Sequence, residues 1–139
     1  MTDINSGVTL QALDANILTQ AAQHPRAGAV VTFAGVVRNH DAGDSVNAIE
    51  YSAHPTAGAI LGEIATEMAG RPGVWHVEAW HRIGHLDVGD VAMVVVVSAE
   101  HRGQAFSATS DLVDEVKKRL PVWKNQELTD GSHMWSGIN

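Results

Sequence analysis

Apolar and polar residues recur along this chain with two periods, and the changes of period divide it into elements. Leu13, Ile17 and Ala21 stand four apart within residues 10–23, a mixed pattern of helical character. GAVVTFAGVVR, residues 28–38, is rich in β-branched side chains and predicts a buried strand. It runs into NHDAGDS, a loop by composition, and then into a second strand around VNAIEYSA. Residues 55–70 carry Ile60, Ile64 and Met68 at i, i+4 and i+8, with Pro55 near the start and Gly70 at the end. That is a helix with its punctuation in place.

The second half repeats the theme. Trp75, Val77 and Ala79 alternate with His76, Glu78 and Trp80, so GVWHVEAWHRIGHL begins as a strand, and DVGD at 87–90 is a turn. VAMVVVVSA, residues 91–99, is apolar throughout and of strand length, which suits a central position in a sheet. From about residue 103 to 120, Phe106, Val113, Val116 and Leu120 keep the helical period until Pro121 ends it. The predicted order is α-β-β-α-β-β-α, followed by an irregular tail from about residue 121. One α+β domain over residues 1–139 is expected, a mixed α/β sandwich with helices packed on a mostly antiparallel sheet.

Composition narrows the chemistry. A length of 139 residues suits one compact domain, and 45% hydrophobic with 18% charged residues can build a core. Cysteine is absent, which removes disulfides, cysteine nucleophiles and thiolate metal sites and fits a reducing compartment. No apolar run approaches the ~20 residues that span a bilayer, and MTDINSGVTLQALDANI lacks the pattern of a signal peptide. The expectation is a soluble, cytoplasmic protein. A formal charge of -7 argues against general nucleic-acid binding, which depends on neutralising phosphates.

The nine Lys and Arg therefore repay inspection, and four of them fall in KKRLPVWK, residues 117–124. On a helical wheel Lys118 points away from the apolar stripe, whereas Lys117 lies roughly 70° from its centre. The Lys117 stem can follow apolar surface and bring its amine to a cleft edge. Lys124 follows the proline break, and the two amines could converge there. Neighbouring ammonium groups repel, which lowers the pKa of at least one and improves it as a base or nucleophile. Cations in a last helical turn also meet the helix dipole favourably, so spacing alone fits a solvated helix end better than a functional pair.

Arg38 closes the first predicted strand, and His101 with Arg102 follows the Val-rich one, at element ends of the kind that bind anions or form surface ion pairs. Eight histidines include no metal-binding spacing, so no metal site is expected; GxSxG and GxxxxGK are absent as well. The four tryptophans suit anchoring roles in the core or at an interface.

Six motifs occur in order: TFAGVVRNH (32–40), GDSV (43–46), HRIG (81–84), GD (89–90), SAEHR (98–102) and KKRLPVWK. Together, from about residue 28 to 135, they resemble the large, catalytic subunit family of molybdopterin synthase. The resemblance implies a sulfur transferase of molybdenum-cofactor biosynthesis. Such an enzyme installs two dithiolene sulfurs on cyclic pyranopterin monophosphate. Sulfur would come from a C-terminal thiocarboxylate on a small ubiquitin-like subunit, whose tail inserts into the large subunit. A homodimer within a heterotetramer is implied, and neither cofactor nor metal is needed for the step.

Carried over by position, the resemblance makes Lys117 and Lys124 catalytic and Arg38, His101 and Arg102 substrate-binding, the last two across the dimer interface. Two departures stand out. Val36 replaces a lysine of some relatives, and the stretch after Lys124 is one residue longer than in others, so a family contact falls on either Gln126 or Glu127. Two competing readings are a docking module without catalysis and a hydrolase acting on a phosphorylated heterocycle.

Overall fold

The computed structural model describes residues 2–138. The chain runs β1 (Asp3–Thr9), α1 (Ala15–Ala21), β2 (Ala29–Val36), β3 (His40–Asp41), β4 (Asp44–Ala53) and α2 (Ala57–Ala69). It continues with β5 (Val74–Arg82), β6 (Gly84–Asp87), β7 (Val91–Ala99), α3 (Arg102–Arg119), β8 (Val122–Leu128) and β9 (His133–Gly137). One sheet has the order β1-β5-β7-β2, antiparallel except where β1 runs parallel to β5. The other has the order β3-β4-β8-β9, with β6 also paired to β4. The architecture is α+β with a mostly antiparallel sheet arrangement, as the periodicity predicts.

β7 explains its own composition. Val95, Val97 and Ala99 pack into the main core with α2 and α3, while Val94 and Val96 pack with Ala22 and Leu18 on the α1 side. Covered on both faces, the strand reads as one continuous apolar run. Leu61, Ile64 and Met68 form the buried face of α2. On α3 the buried seam is Ala105, Ala108, Leu112 and Val116, whereas Phe106 is 60% exposed. Small side chains let the helix approach the sheet, so the seam is shifted from the bulky residues that the periodicity emphasised.

Three other departures concern strands. β1, DINSGVT, carries no apolar alternation because it is a sheet edge whose Gly7 lies beneath the Trp80 ring; a Cβ there would come within 2.8 Å of it. The tail expected to be irregular is instead the β8–β9 hairpin, with β8 also paired to β4. Its inward positions include the polar Lys124 and Gln126, which face a cleft, so hydropathy does not alternate there. NHDAGDS is a tight hairpin, turned by Ala42 at φ 49° and Gly43 at φ 87°. Two successive positive-φ residues suit the right-handed twist of the flanking strands.

Gly84, at φ 91°, takes the chain from β5 in the first sheet to β6 in the second. Among the described residues, no helix is long and apolar enough to cross a membrane.

Candidate active site

The end of α3, β8, the β2–β3 connection and β4 surround a cleft of about 440 Å³. Lys117 enters from the last turn of α3, and Lys124 and Gln126 from one face of β8. Arg38 and Asp41 come from the segment leading to and including β3. Val36, Ile49, Tyr51 and Ile138 supply a less polar wall. A smaller recess of about 100 Å³ continues inward beside both lysines to Phe33, His81 and Met93.

Both lysines predicted to converge therefore face one cavity. Lys117 is open to solvent on one side, yet burial of its amine, and then the Lys124 charge, hold its pKa below the ordinary lysine value. Lys124 is more enclosed, its Nζ 3.3 Å from Asp41 Oδ2. The same oxygen accepts a 2.7 Å hydrogen bond from Gln126 Nε2, and Asp41 Oδ1 lies 3.5 Å from Arg38 Nη2. The Gln126 hydrogen bond, with help from the Lys124 and Arg38 charges, keeps the Asp41 carboxyl below its usual range. Tyr51 shifts the other way, raised by burial and then by the Asp41 charge.

His81 closes the inner recess. Its Nδ1–H donates to the Arg82 carbonyl at 2.8 Å, and the ring stands edge-on to Tyr51 with centroids 5.2 Å apart. Burial, aided by the nearby Lys117 charge and opposed by that backbone hydrogen bond, lowers its pKa from 6.5 to about 4. The unfolded chain thus binds a proton there between pH 6.5 and about 4 that the folded chain does not. This contribution to stability is complete above the unfolded pKa and is lost as pH falls, by about 3 kcal/mol in total. Asparagine at 81 can keep the bond to the Arg82 carbonyl without titrating. We expect the melting temperature of His81→Asn to fall less steeply between pH 7 and 4 than that of the parent. Parallel slopes in thermal melts would exclude this origin.

His101 and Arg102 are placed elsewhere. They begin α3, where the His101 backbone N–H donates to Gln104 Oε1 at 3.0 Å. Lys117 lies about 22 Å away along the helix axis. Within one chain they do not reach the cleft. Lys118 is exposed, and Arg119 is taken up by Glu67 at 2.9 Å, as a solvated helix end requires.

Sequence reasoning did not single out Asp41 or Tyr51, carried His81 only within HRIG, and left Gln126 undecided against Glu127. Strand alternation from Lys124 separates the two: Gln126 is buried in the cleft wall and Glu127 is exposed. Among the described residues, no group of three or more His, Asp or Glu could hold a metal ion. His76 and Glu78, neighbours on one strand face, instead hydrogen-bond each other at 2.5 Å.

Three cations, one carboxylate and an apolar wall suit a small anionic molecule with a flat or apolar portion, handled by amines. The fold and cleft thus define an α+β protein with a lysine-bearing, cation-rich cleft. The chain belongs to the MoaE protein family, whose profile matches residues 8–119. It is 43% identical over 109 residues to the molybdopterin synthase catalytic subunit of Pyrococcus abyssi, covering 78% of this chain and 73% of that one. The Escherichia coli protein of the same name is 41% identical over 111 residues, covering 79% and 74%. Among solved structures, molybdopterin synthase from Staphylococcus aureus superposes with a TM-score of 0.86 at 29% identity, covering 94% and 96%.

Proposed function

We infer that this chain works as the catalytic subunit of a molybdopterin synthase, in the cytoplasm. It is a sulfurtransferase that converts cyclic pyranopterin monophosphate to molybdopterin. Its partner is a small ubiquitin-like carrier that ends in a thiocarboxylate. The observation that carries the reading is the meeting of Lys117 and Lys124 on one cleft beside Arg38 and an apolar wall.

In this reading the substrate phosphate lies against Arg38, with His101 and Arg102 contributed by a second copy of the chain. Their distance from their own cleft supports that division. The carrier's thiocarboxylate sulfur forms a bond to a side-chain carbon of the substrate as a carbon–oxygen bond at that carbon breaks, the departing oxygen taking up a proton from a lysine. Water then cleaves the acyl–sulfur bond, leaving sulfur on the substrate and a carboxylate on the carrier. Two sulfurs consume two carriers. Lys117 stabilises the oxyanion that develops at the acyl carbon and moves protons, and Lys124 orients the substrate.

The test is a single turnover with purified chain, cyclic pyranopterin monophosphate and thiocarboxylated carrier, read as dithiolene product. A stable complex with the carrier but no product would instead make the chain a docking module. Arg38→Ala is expected to weaken substrate binding by about 10–100-fold, the worth of a hydrogen-bonded charge on phosphate. Calorimetric titration checks this, and unchanged affinity would remove Arg38 from the phosphate site.

A further inference from the structure

Asp41 sits where an anion-binding cleft would least be expected to carry a negative charge. Its two carboxylate oxygens face different cations, Oδ1 towards Arg38 at 3.5 Å and Oδ2 towards Lys124 at 3.3 Å. These are two of the three cations lining the cleft. A carboxylate among them opposes any phosphate that approaches, and exposed ion pairs add little stability that would offset this.

Its placement is built into the backbone. Asp41 ends β3 beside the two positive-φ residues of a tight hairpin, and it pairs in register with Asp44. From below, Gln126, 1% exposed, donates to Oδ2 at 2.7 Å. The two cations are held unequally. Lys124 has a side chain only 20% exposed, whereas that of Arg38 is 69% exposed and free to turn towards another anion.

We propose that Asp41 is a placeholder carboxylate: it positions Lys124 permanently and lends itself to Arg38 until the substrate's phosphate takes Arg38 over. Asp41 is a positioning residue in this scheme, and it touches neither sulfur nor the reacting carbon. Affinity for phosphate is reduced in exchange for a fixed Lys124. The proposal rests on the proposed function only in taking the incoming anion to be the substrate's phosphate.

The scheme separates binding from turnover, which a merely structural carboxylate would not do. In Asp41→Asn the side-chain carbonyl can still accept from Gln126 while the charge is gone. Titration with inorganic phosphate is expected to show binding about tenfold tighter than in the parent, the effect of removing one nearby like charge. Single-turnover rate at saturating substrate is expected to fall about tenfold, because Lys124 loses its counter-charge and with it a fixed position. Asp41→Ala reports the same change in affinity should the asparagine variant melt early.

Unchanged or weaker phosphate binding in both variants overturns the placeholder and leaves the proposed function standing, provided the parent binds phosphate. Tighter binding with undiminished saturated turnover overturns the positioning role. Absence of phosphate binding in parent and variants alike overturns both the placeholder and the phosphate site of the proposed function.

Discussion

Lys117→Ala is expected to bind cyclic pyranopterin monophosphate nearly as well as the parent and to form dithiolene product about 10²–10⁴ times more slowly in a single turnover. The size follows from the two roles proposed for this one amine. Lys117 projects from the last turn of α3 into both the cleft and its inner recess. Burial and then the Lys124 charge hold its pKa below the ordinary lysine value, the direction that favours giving up a proton during the reaction. A cation beside the acyl carbon also stabilises the oxyanion that forms there. Arginine at 117 would keep the charge but not the exchangeable proton, so Lys117→Arg is expected to recover less than about a tenth of the rate. Lys118→Ala, on the solvent side of the same helix turn, serves as the matched control at parental rate. The parent rate is expected to rise with pH until an apparent pKa below the ordinary lysine value, a limb that both Lys117 variants lack. Full turnover in Lys117→Ala would take this lysine out of the chemistry.

How far such a site can be read from sequence depends on what each element faces. The elements that face apolar surroundings were legible: β7 as an unbroken run, α2 by its Ile64 and Met68 spacing, and the end of α3 by Pro121. Of the elements that face the cleft, β4 and the end of α3 were legible and β8 was not. β8 turns Lys124 and Gln126 inward and exposes Trp123, so a test that equates inward with apolar sees only irregularity. β1 is carried by its pairing with β5 and not by its own side chains. In the site itself, cations at element ends were visible because lysine and arginine are scarce in this acidic chain. Asp41 was lost among many acidic residues, and its meaning depends on Gln126 and Lys124, more than eighty positions away. His81 was visible as part of HRIG, but its neutrality comes from burial, which the motif does not encode.

Glu78 is where the largest loss of stability is expected. Its carboxylate is 1% exposed and accepts three hydrogen bonds: Asn5 Nδ2 at 2.8 Å, His76 Nε2 at 2.5 Å and Trp80 Nε1 at 2.9 Å. The Asn5 bond ties β1 to β5 from the side chains as well as the backbone, and the other two lie within β5. Alanine at 78 would leave three donors without their acceptor in and around a buried site, at a cost of about 3–5 kcal/mol. For a domain of this size that lowers the melting temperature by about 10 °C or more. Glutamine is a sharper probe. Its carbonyl can accept from Trp80, while its amide can donate to His76 in the other tautomer and to Asn5 with the amide turned over. Glu78→Gln is therefore expected to lose no more than about 1.5 kcal/mol, since each bond is exchanged and none is abandoned. Denaturant titration of the three chains measures both losses. Equal destabilisation by alanine and glutamine would mean that the charge, and not the count of hydrogen bonds, holds β1 in place. A melting temperature for Glu78→Ala within about 2 °C of the parent would mean that backbone pairing and the Gly7–Trp80 packing suffice without it.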